Sequence, residues 1–288
     1  MTPVRAVGGT SDILGEGPVW DVLEQALYWV DIRGQALRRL AGANGTATSW
    51  PMPEPIGSLA LREAGGVLVA LRSALAFFDP VSGRFERIAA PEAHLQGHRF
   101  NDGKCDRQGR FWAGTMHDVT RDPVGTLYRL DARGCVAMER GVRIPNSLCW
   151  SPDGRTMYFS DSLLRTVFAY PFDPDSGELG TRRVFATVEA PAIPDGATVD
   201  RDGFVWCAHY DGWRVVRFAP DGRIDRVIEL PVQRPTSCQF GGPGLDTLYI
   251  TTAKQKLTPP ELTAQPLAGA LLALDVDVTG LAETRFAG

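Results

Sequence analysis

At 288 residues the chain exceeds the commonest domain length, yet all-β barrels and propellers of this size fold as one unit with an ample core. With 30 basic and 34 acidic residues, a formal net charge of −4 and no long single-sign block, it carries no electrostatic footprint for nucleic acid or an anionic membrane. A small neutral or weakly anionic partner is expected instead, and a monomer or weak oligomer.

In chain order, short runs rich in β-branched and aromatic residues follow turn-rich segments: ALYWVD (26–31), GVLVAL (66–71), RFWAGT (110–115), TMYFSD (156–161), FVWCAH (204–209) and TLYITT (247–252). Their centres recur about every 39 to 47 residues. Most continue into a second alternating run closed by a turn, such as GQALRRLAGANG, LAFFDPVSG, TLYRLDARG, TVFAYPFDPDSG and RVVRFAPDG. No 3.6-residue apolar period is present, so helical repeats are excluded. Several short strands per repeat are what propeller blades require. The sequence therefore predicts an all-β, six-bladed β-propeller filling residues 1–288 as a single domain. Near the end, Pro259, Pro260 and Pro266 predict an irregular excursion through PPELTAQPLAGALL.

Nine to twelve residues before each centre lies another short strand opening on a small or polar residue: GEGPVW, IGSLAL, FNDGKCD, PNSLCW, PDGATVD and TSCQFG. The first strand of a propeller blade lines the central channel, so residues at equal phase converge on the axis. Glu16, Asn101, Asn146 and Asp195 then form a ring, with Ser58 and Ser237 at the same phase. Read alone, Glu16 is a solvated loop residue, Asn146 a buried amide and Asn101 a turn cap. Asp153, Asp202 and Asp221 precede glycines between two strand-like runs and read as hairpin turns. Asp195 instead precedes a first strand and is stiffened by Pro194. Two carboxylates and two amides drawn away from water need a cation or protons beside them. The oxygen-rich set suits one divalent ion, Ca²⁺, Mg²⁺ or Mn²⁺, with Zn²⁺ and Fe²⁺ also open.

The five cysteines, Cys105, Cys135, Cys149, Cys207 and Cys238, are odd in number and lack Cys-x-x-Cys spacing. They read as buried thiols in a reducing cytoplasm. MTPVRAVGGTSDILGEGP has no apolar core of an export signal, and no run approaches the ~20 apolar residues of a membrane span. A soluble, cytoplasmic protein is expected. His94, His98, His117 and His209 show no H-E-x-x-H spacing, and G-x-S-x-G is absent, which disfavours a zincin and a serine hydrolase. Trp20, Trp112, Trp150, Trp206 and Trp213 read mostly as core, with one or two placed to border a sugar.

LGEGPVW, RFNDGKCDRQGRFWAGTM, IPNSLCWSPDG, IPDGATVDRDGFVW, RVVRFAPDG, LPVQRPTSCQFGG and LAGALLALDVDVTGL span nearly the whole chain in order. Together they resemble the gluconolactonase, regucalcin (senescence marker protein) and luciferin-regenerating family. That resemblance implies a six-bladed propeller with one divalent cation on its axis. It implies Glu16, Asn146 and Asp195 as metal ligands, Arg99 and Asn101 as substrate-binding residues, and Asp195 as general base. Two positions depart from the pattern. Ser147 replaces a glycine and would cost roughly 1 kcal/mol if its φ is positive. Val119 replaces an acidic residue of vertebrate regucalcins, and Asp118 beside it joins the candidate substrate-binding residues. MHD at 116–118 looks more like bacterial sugar-acid lactonases.

The expected reaction is hydrolysis of a sugar lactone to the aldonic acid, by a metal-polarised carbonyl and carboxylate-assisted attack of water. An aryl-ester or organophosphate hydrolase on the same propeller, and a non-catalytic calcium-binding propeller, are the alternatives.

Overall fold

A run such as ALYWVD is apolar on both faces, which a strand sustains only when a neighbour covers each side. A ring of sheets standing face to face provides this for every blade. The computed structural model, which describes residues 3–42 and 45–288, contains six four-stranded antiparallel sheets in that arrangement. The turn expected at the end of GQALRRLAGANG includes residues 43 and 44, outside the described residues. The innermost strands are Gly15–Asp21, Ile56–Leu61, His98–Cys105, Pro145–Trp150, Ile193–Val199 and Pro235–Gly241, which we number blades 1 to 6. Each touches the next around the ring, and blade 6 returns to blade 1. The fold is the six-bladed β-propeller that the recurrence predicts. Among the described residues, no helix is long and apolar enough to cross a membrane.

Six hydrophobic clusters fill the six seams between blades. Tyr28 and Val30 pack on Leu59 and Val69 between blades 1 and 2, and Trp206 on Phe240 and Ile250 between blades 5 and 6. Trp20 and Trp29 meet Tyr249 and Leu271 where blade 6 closes on blade 1. That last sheet is composite: Arg5–Val7 pairs antiparallel with Leu271–Asp275, placing Arg5 opposite Ala273.

Three seams also carry a buried polar clamp. Asp200, fully buried, accepts from Trp206 Nε1 (2.9 Å), from Arg217 Nε and Nη2 (2.9 and 2.7 Å) and from the amides of Asp202 and Phe204 (both 3.0 Å). Asp106 does the same for Trp112, Arg110 and two turn amides, and Asp12 for Trp29 and Arg38. Asp106 and Asp200 each stand six residues before their tryptophan, across a hairpin with glycine in the left-handed region (Gly109 φ 82°, Gly203 φ 85°).

The expected irregular excursion is instead a short helix, Pro259–Ala264. Prolines at its first two positions remove amide hydrogens that the first turn leaves unpaired, so they start the helix rather than break it. Thr258 and Glu261 close its N-terminus with reciprocal side-chain to backbone bonds. After residue 278 the chain crosses the face where the innermost strands end. Gly280 N donates to Leu245 O, Phe286 N to Leu61 O and Ala287 N to Gly109 O. From this strap Glu283 reaches Lys104 at 3.3 Å, and Lys104 Nζ also donates to Ala197 O (3.1 Å) and Gln239 Oε1 (3.3 Å). Burial alone would lower the Lys104 pKa, but the charge of Glu283 holds it above its usual value. The channel is thus stoppered at one end.

Candidate metal centre and binding cavity

On every innermost strand the ladder register breaks once: next to Glu16, Ile56, Phe100, Asn146, Pro194 and Pro235. A bulge at that point re-aims side chains out of the sheet. At the unstoppered end this brings Glu16, Arg99, Asn101, Asn146 and Asp195 to one cavity of about 240 Å³. All five are buried, at 7 % exposure or less. Gly196 is required beside Asp195 because a Cβ there would sit 2.1 Å from Ser237 Oγ of the next blade. Ser58 and Ser237, at the same phase, are buried but do not line the cavity.

A hydrogen-bond chain orients the polar side chains across three blades. Arg99 Nη1 donates to Asn101 Oδ1 (2.6 Å), and Asn101 Nδ2 to Asn146 Oδ1 (3.1 Å) and Pro145 O (2.9 Å). Asn146 Nδ2 donates to Ser162 Oγ (2.8 Å), which donates to Pro194 O (2.7 Å) beside Asp195. Because its amide nitrogen is committed to Ser162, Asn146 presents its oxygen, and that oxygen keeps one lone pair. Asn101 spends both amide hydrogens on these bonds, and its oxygen, with one bond from Arg99, likewise keeps a lone pair. Arg99 spends Nε on Asp118 and Nη1 on two oxygens, leaving Nη2 free for a ligand.

The carboxyls of Glu16 and Asp195 face the same cavity, close enough to influence each other's titration. Burial, followed by repulsion from Asp102, raises the pKa of Glu16; burial and then the charge of Glu16 raise that of Asp195. A buried acid pair holding protons is a site that a cation would discharge. Among the described residues no three His, Cys, Asp or Glu side chains are grouped to hold an ion. The donor set therefore depends on the Asn146 amide oxygen beside two carboxylates, all hard oxygen donors, and it fits a divalent ion with positions left open.

Asp118 does not line the cavity. Its carboxylate lies behind Arg99, 2.5 Å from Nε, and takes a bidentate pair from Arg33 (both 2.7 Å). Burial would raise its pKa, but the Arg33 hydrogen bonds and the Arg99 charge prevail and hold it well below the usual carboxylate range. Its geometry is that of an anchor for Arg99. Trp20, Trp112, Trp150 and Trp206 are core, and Trp213, 40 % exposed, does not border the cavity; the aromatic that does is Tyr210. Arg121, Gln255 and Lys256 also line it and were not singled out from sequence. Asp153, Asp202 and Asp221 are turn residues, as expected.

Ser147 does adopt the left-handed region, φ 59°. Its hydroxyl donates to the Asp195 carbonyl and meets Ser160 Oγ at 2.9 Å, so the serine ties the Asn146 strand to the Asp195 strand and offsets its backbone cost. Ser147→Ala keeps the unfavourable φ and strips the Asp195 carbonyl of its oxygen donor. An expected loss of about 1–3 kcal/mol follows, read as a lower urea midpoint with an unchanged m-value.

The sequence profile described as the SMP-30/gluconolactonase/LRE-like region matches residues 14–254. The chain belongs to this family. It is 41 % identical over 288 residues to the 6-deoxy-6-sulfogluconolactonase of Pseudomonas putida, covering 99 % of both chains. It is 41 % identical to the L-arabinolactonase of Azospirillum brasilense, covering 97 % of this chain and 94 % of the relative. Among solved structures, a regucalcin from Agrobacterium tumefaciens described as a calcium-binding protein superposes with a TM-score of 0.96. The two are 30 % identical, with 99 % of this chain and 98 % of that one covered. This family's propeller therefore carries, in this chain, the cavity built by Glu16, Asn146 and Asp195.

Proposed function

We propose that the protein hydrolyses a sugar lactone to the open-chain aldonic acid, using Glu16, Asn146 and Asp195 to hold one divalent cation. The observation that carries this reading is the convergence of two buried carboxyls, an oriented amide oxygen and an arginine whose Nη2 is uncommitted among the described residues in one cavity. Relatives named as lactonases at 41 % identity support it. The ion, when bound, supplies Lewis acidity that polarises the carbonyl under attack. Asp195, as a carboxylate once the ion is held, accepts a proton from the attacking water. Water oxygen bonds to the carbonyl carbon, the bond from that carbon to the ring oxygen breaks, and Asp195 returns the proton to the departing ring oxygen. Arg99 Nη2 donates to the oxygen that gains charge, held in place by Asp118 and Asn101. Five free cysteines, four of them buried, fit a reducing compartment, and we place the enzyme in the cytoplasm.

The test is a pH-indicator assay across xylono-, arabino-, glucono- and galactonolactones, with aryl esters and phosphotriesters as controls. Chelator-stripped protein is resupplied with Ca²⁺, Zn²⁺, Mn²⁺ or Mg²⁺. Preferential turnover of esters or phosphotriesters, or lactone turnover indifferent to stripping, would overturn the reading. A pH dependence follows from the same carboxyls. Their folded pKa values lie above the unfolded ones, so the ion-free fold binds extra protons between the two and loses stability as pH rises through that window. A divalent ion competes with those protons. The rise in melting temperature on adding the ion should therefore be larger at pH 8 than at pH 5.5; an equal rise at both would contradict the cage.

A further inference from the structure

Beside the cavity, behind Arg99, one carboxylate serves three guanidinium groups. Asp118 takes both nitrogens of Arg33 at 2.7 Å and Arg99 Nε at 2.5 Å, and stands 3.8 Å from Arg121 Nη2. Arg121 lines the cavity, and its remaining polar neighbour is the Met116 sulfur at 3.3 Å, a weak acceptor. Its planar fork is thus almost unspent, while Arg33 repels it. Lys256, exposed, lines the same cavity and, among the described residues, makes no side-chain hydrogen bond or ion pair. Tyr210 lines the cavity with them; its oxygen accepts from Gln255 Nε2 at 3.4 Å, and among the described residues its own hydrogen has no acceptor. Burial keeps this phenol neutral, with a pKa pushed up to about 12. Glu16 and Asp195 also line the cavity and, on the lactonase reading, would be occupied in holding the cation. The cavity lining therefore carries three cations, Arg99, Arg121 and Lys256, and the nearby carboxylate of Asp118 is already shared between Arg99 and Arg33. Half-buried guanidiniums left without counter-charge are costly unless a ligand supplies it.

We propose that Arg121, Tyr210 and Lys256 form a subsite for a second, non-reacting anionic group, a sulfonate, phosphate or carboxylate, on the lactone's far end from the carbonyl. This rests on the lactonase reading and narrows it to anionic sugar lactones. A tetrahedral or planar oxyanion matches the bidentate fork of Arg121, with Lys256 as a flexible point charge.

The test compares kcat/KM for glucono-1,5-lactone with that for its 6-phosphate, its 6-deoxy-6-sulfonate and the carboxylate-bearing glucarolactone. At least one anionic lactone should exceed the neutral one by 10-fold or more, mainly through KM, and the advantage should shrink between 20 and 300 mM salt, all on the order expected for one well-placed guanidinium–anion pair. In Arg121→Gln the anionic-to-neutral ratio should fall about 10-fold, with partial recovery in Arg121→Lys. Equal or better turnover of the neutral lactone, or a ratio unmoved by Arg121→Gln in folded protein, overturns the proposal. Absence of turnover on every lactone would instead sink the lactonase reading. In that case calorimetric titration with 6-deoxy-6-sulfogluconate, wild type against Arg121→Gln, still decides the subsite.

Discussion

Replacing Asp195 by asparagine is expected to lower kcat/KM on sugar lactones by roughly 10³-fold or more while leaving the propeller folded. Asparagine matches the shape of the side chain and keeps an oxygen toward the cavity, so the strand Ile193–Val199 and the Ser147 tie to the Asp195 carbonyl are retained. On the proposed mechanism, what disappears is the carboxylate that would take the proton from water and half of the buried acid pair that would hold a cation. Divalent-ion binding, followed by calorimetry, should weaken in parallel, and proton release on binding should fall because one of the two titrating groups is gone. Asp195→Asn with kcat/KM within 10-fold of wild type would remove Asp195 from the chemistry. Equal ion affinity with lost turnover would leave it a base but not a ligand.

The second large effect is on stability. Asp200→Ala should cost about 3–5 kcal/mol, the range for breaking a buried, hydrogen-bonded charge pair. It deprives Trp206 Nε1 of its acceptor, withdraws two bonds from buried Arg217, and frees the amides of Asp202 and Phe204. Arg217 keeps Asp225 at 2.7 Å and stacks 3.6 Å over the Phe204 ring, so the residue is not abandoned, but its remaining partner is more exposed. Asp200→Asn preserves an oxygen for the turn amides and should cost markedly less. Equilibrium unfolding in guanidinium reads both, and a cost below about 1 kcal/mol for the alanine variant would show that the clamp adds little to the seam.

The blade count and the ring of Glu16, Asn101, Asn146 and Asp195 could be read from sequence because both obey the chain's own period. An innermost strand meets the axis once per blade, at the same bulge, so residues far apart in sequence share a phase. Arg121 and Lys256 were hidden for the converse reason: they sit on loops between strands, where length and course differ from blade to blade and no period marks them, while Tyr210 ends the strand Val205–Tyr210, one strand out from the axis-lining set. Asp118 was legible as a polar residue near the site but not as an anchor, because Arg33, which claims it, lies 85 residues away. The prolines at 259 and 260 misled because a rule for helix interiors was applied to a helix start. The strap that carries Glu283 had no sequence signal, since its bonds are made by backbone amides that any residue supplies.

The pairing of Arg5 with Ala273 also dictates when the molecule can mature. Blades 2 to 5 can stack while a nascent chain is still emerging, but the circle has no clasp until residue 273 has left the ribosome and found residue 5. Until that moment Trp20 and Trp29 lack their cover from Tyr249 and Leu271, and the gap exposes two sticky walls. Glu16 belongs to the first blade and Asp195 to the fifth, so a half-made chain holds neither in its final relation to the other. Competence would then arrive in one late event, when the last blade closes the wheel and the two carboxyls first face each other.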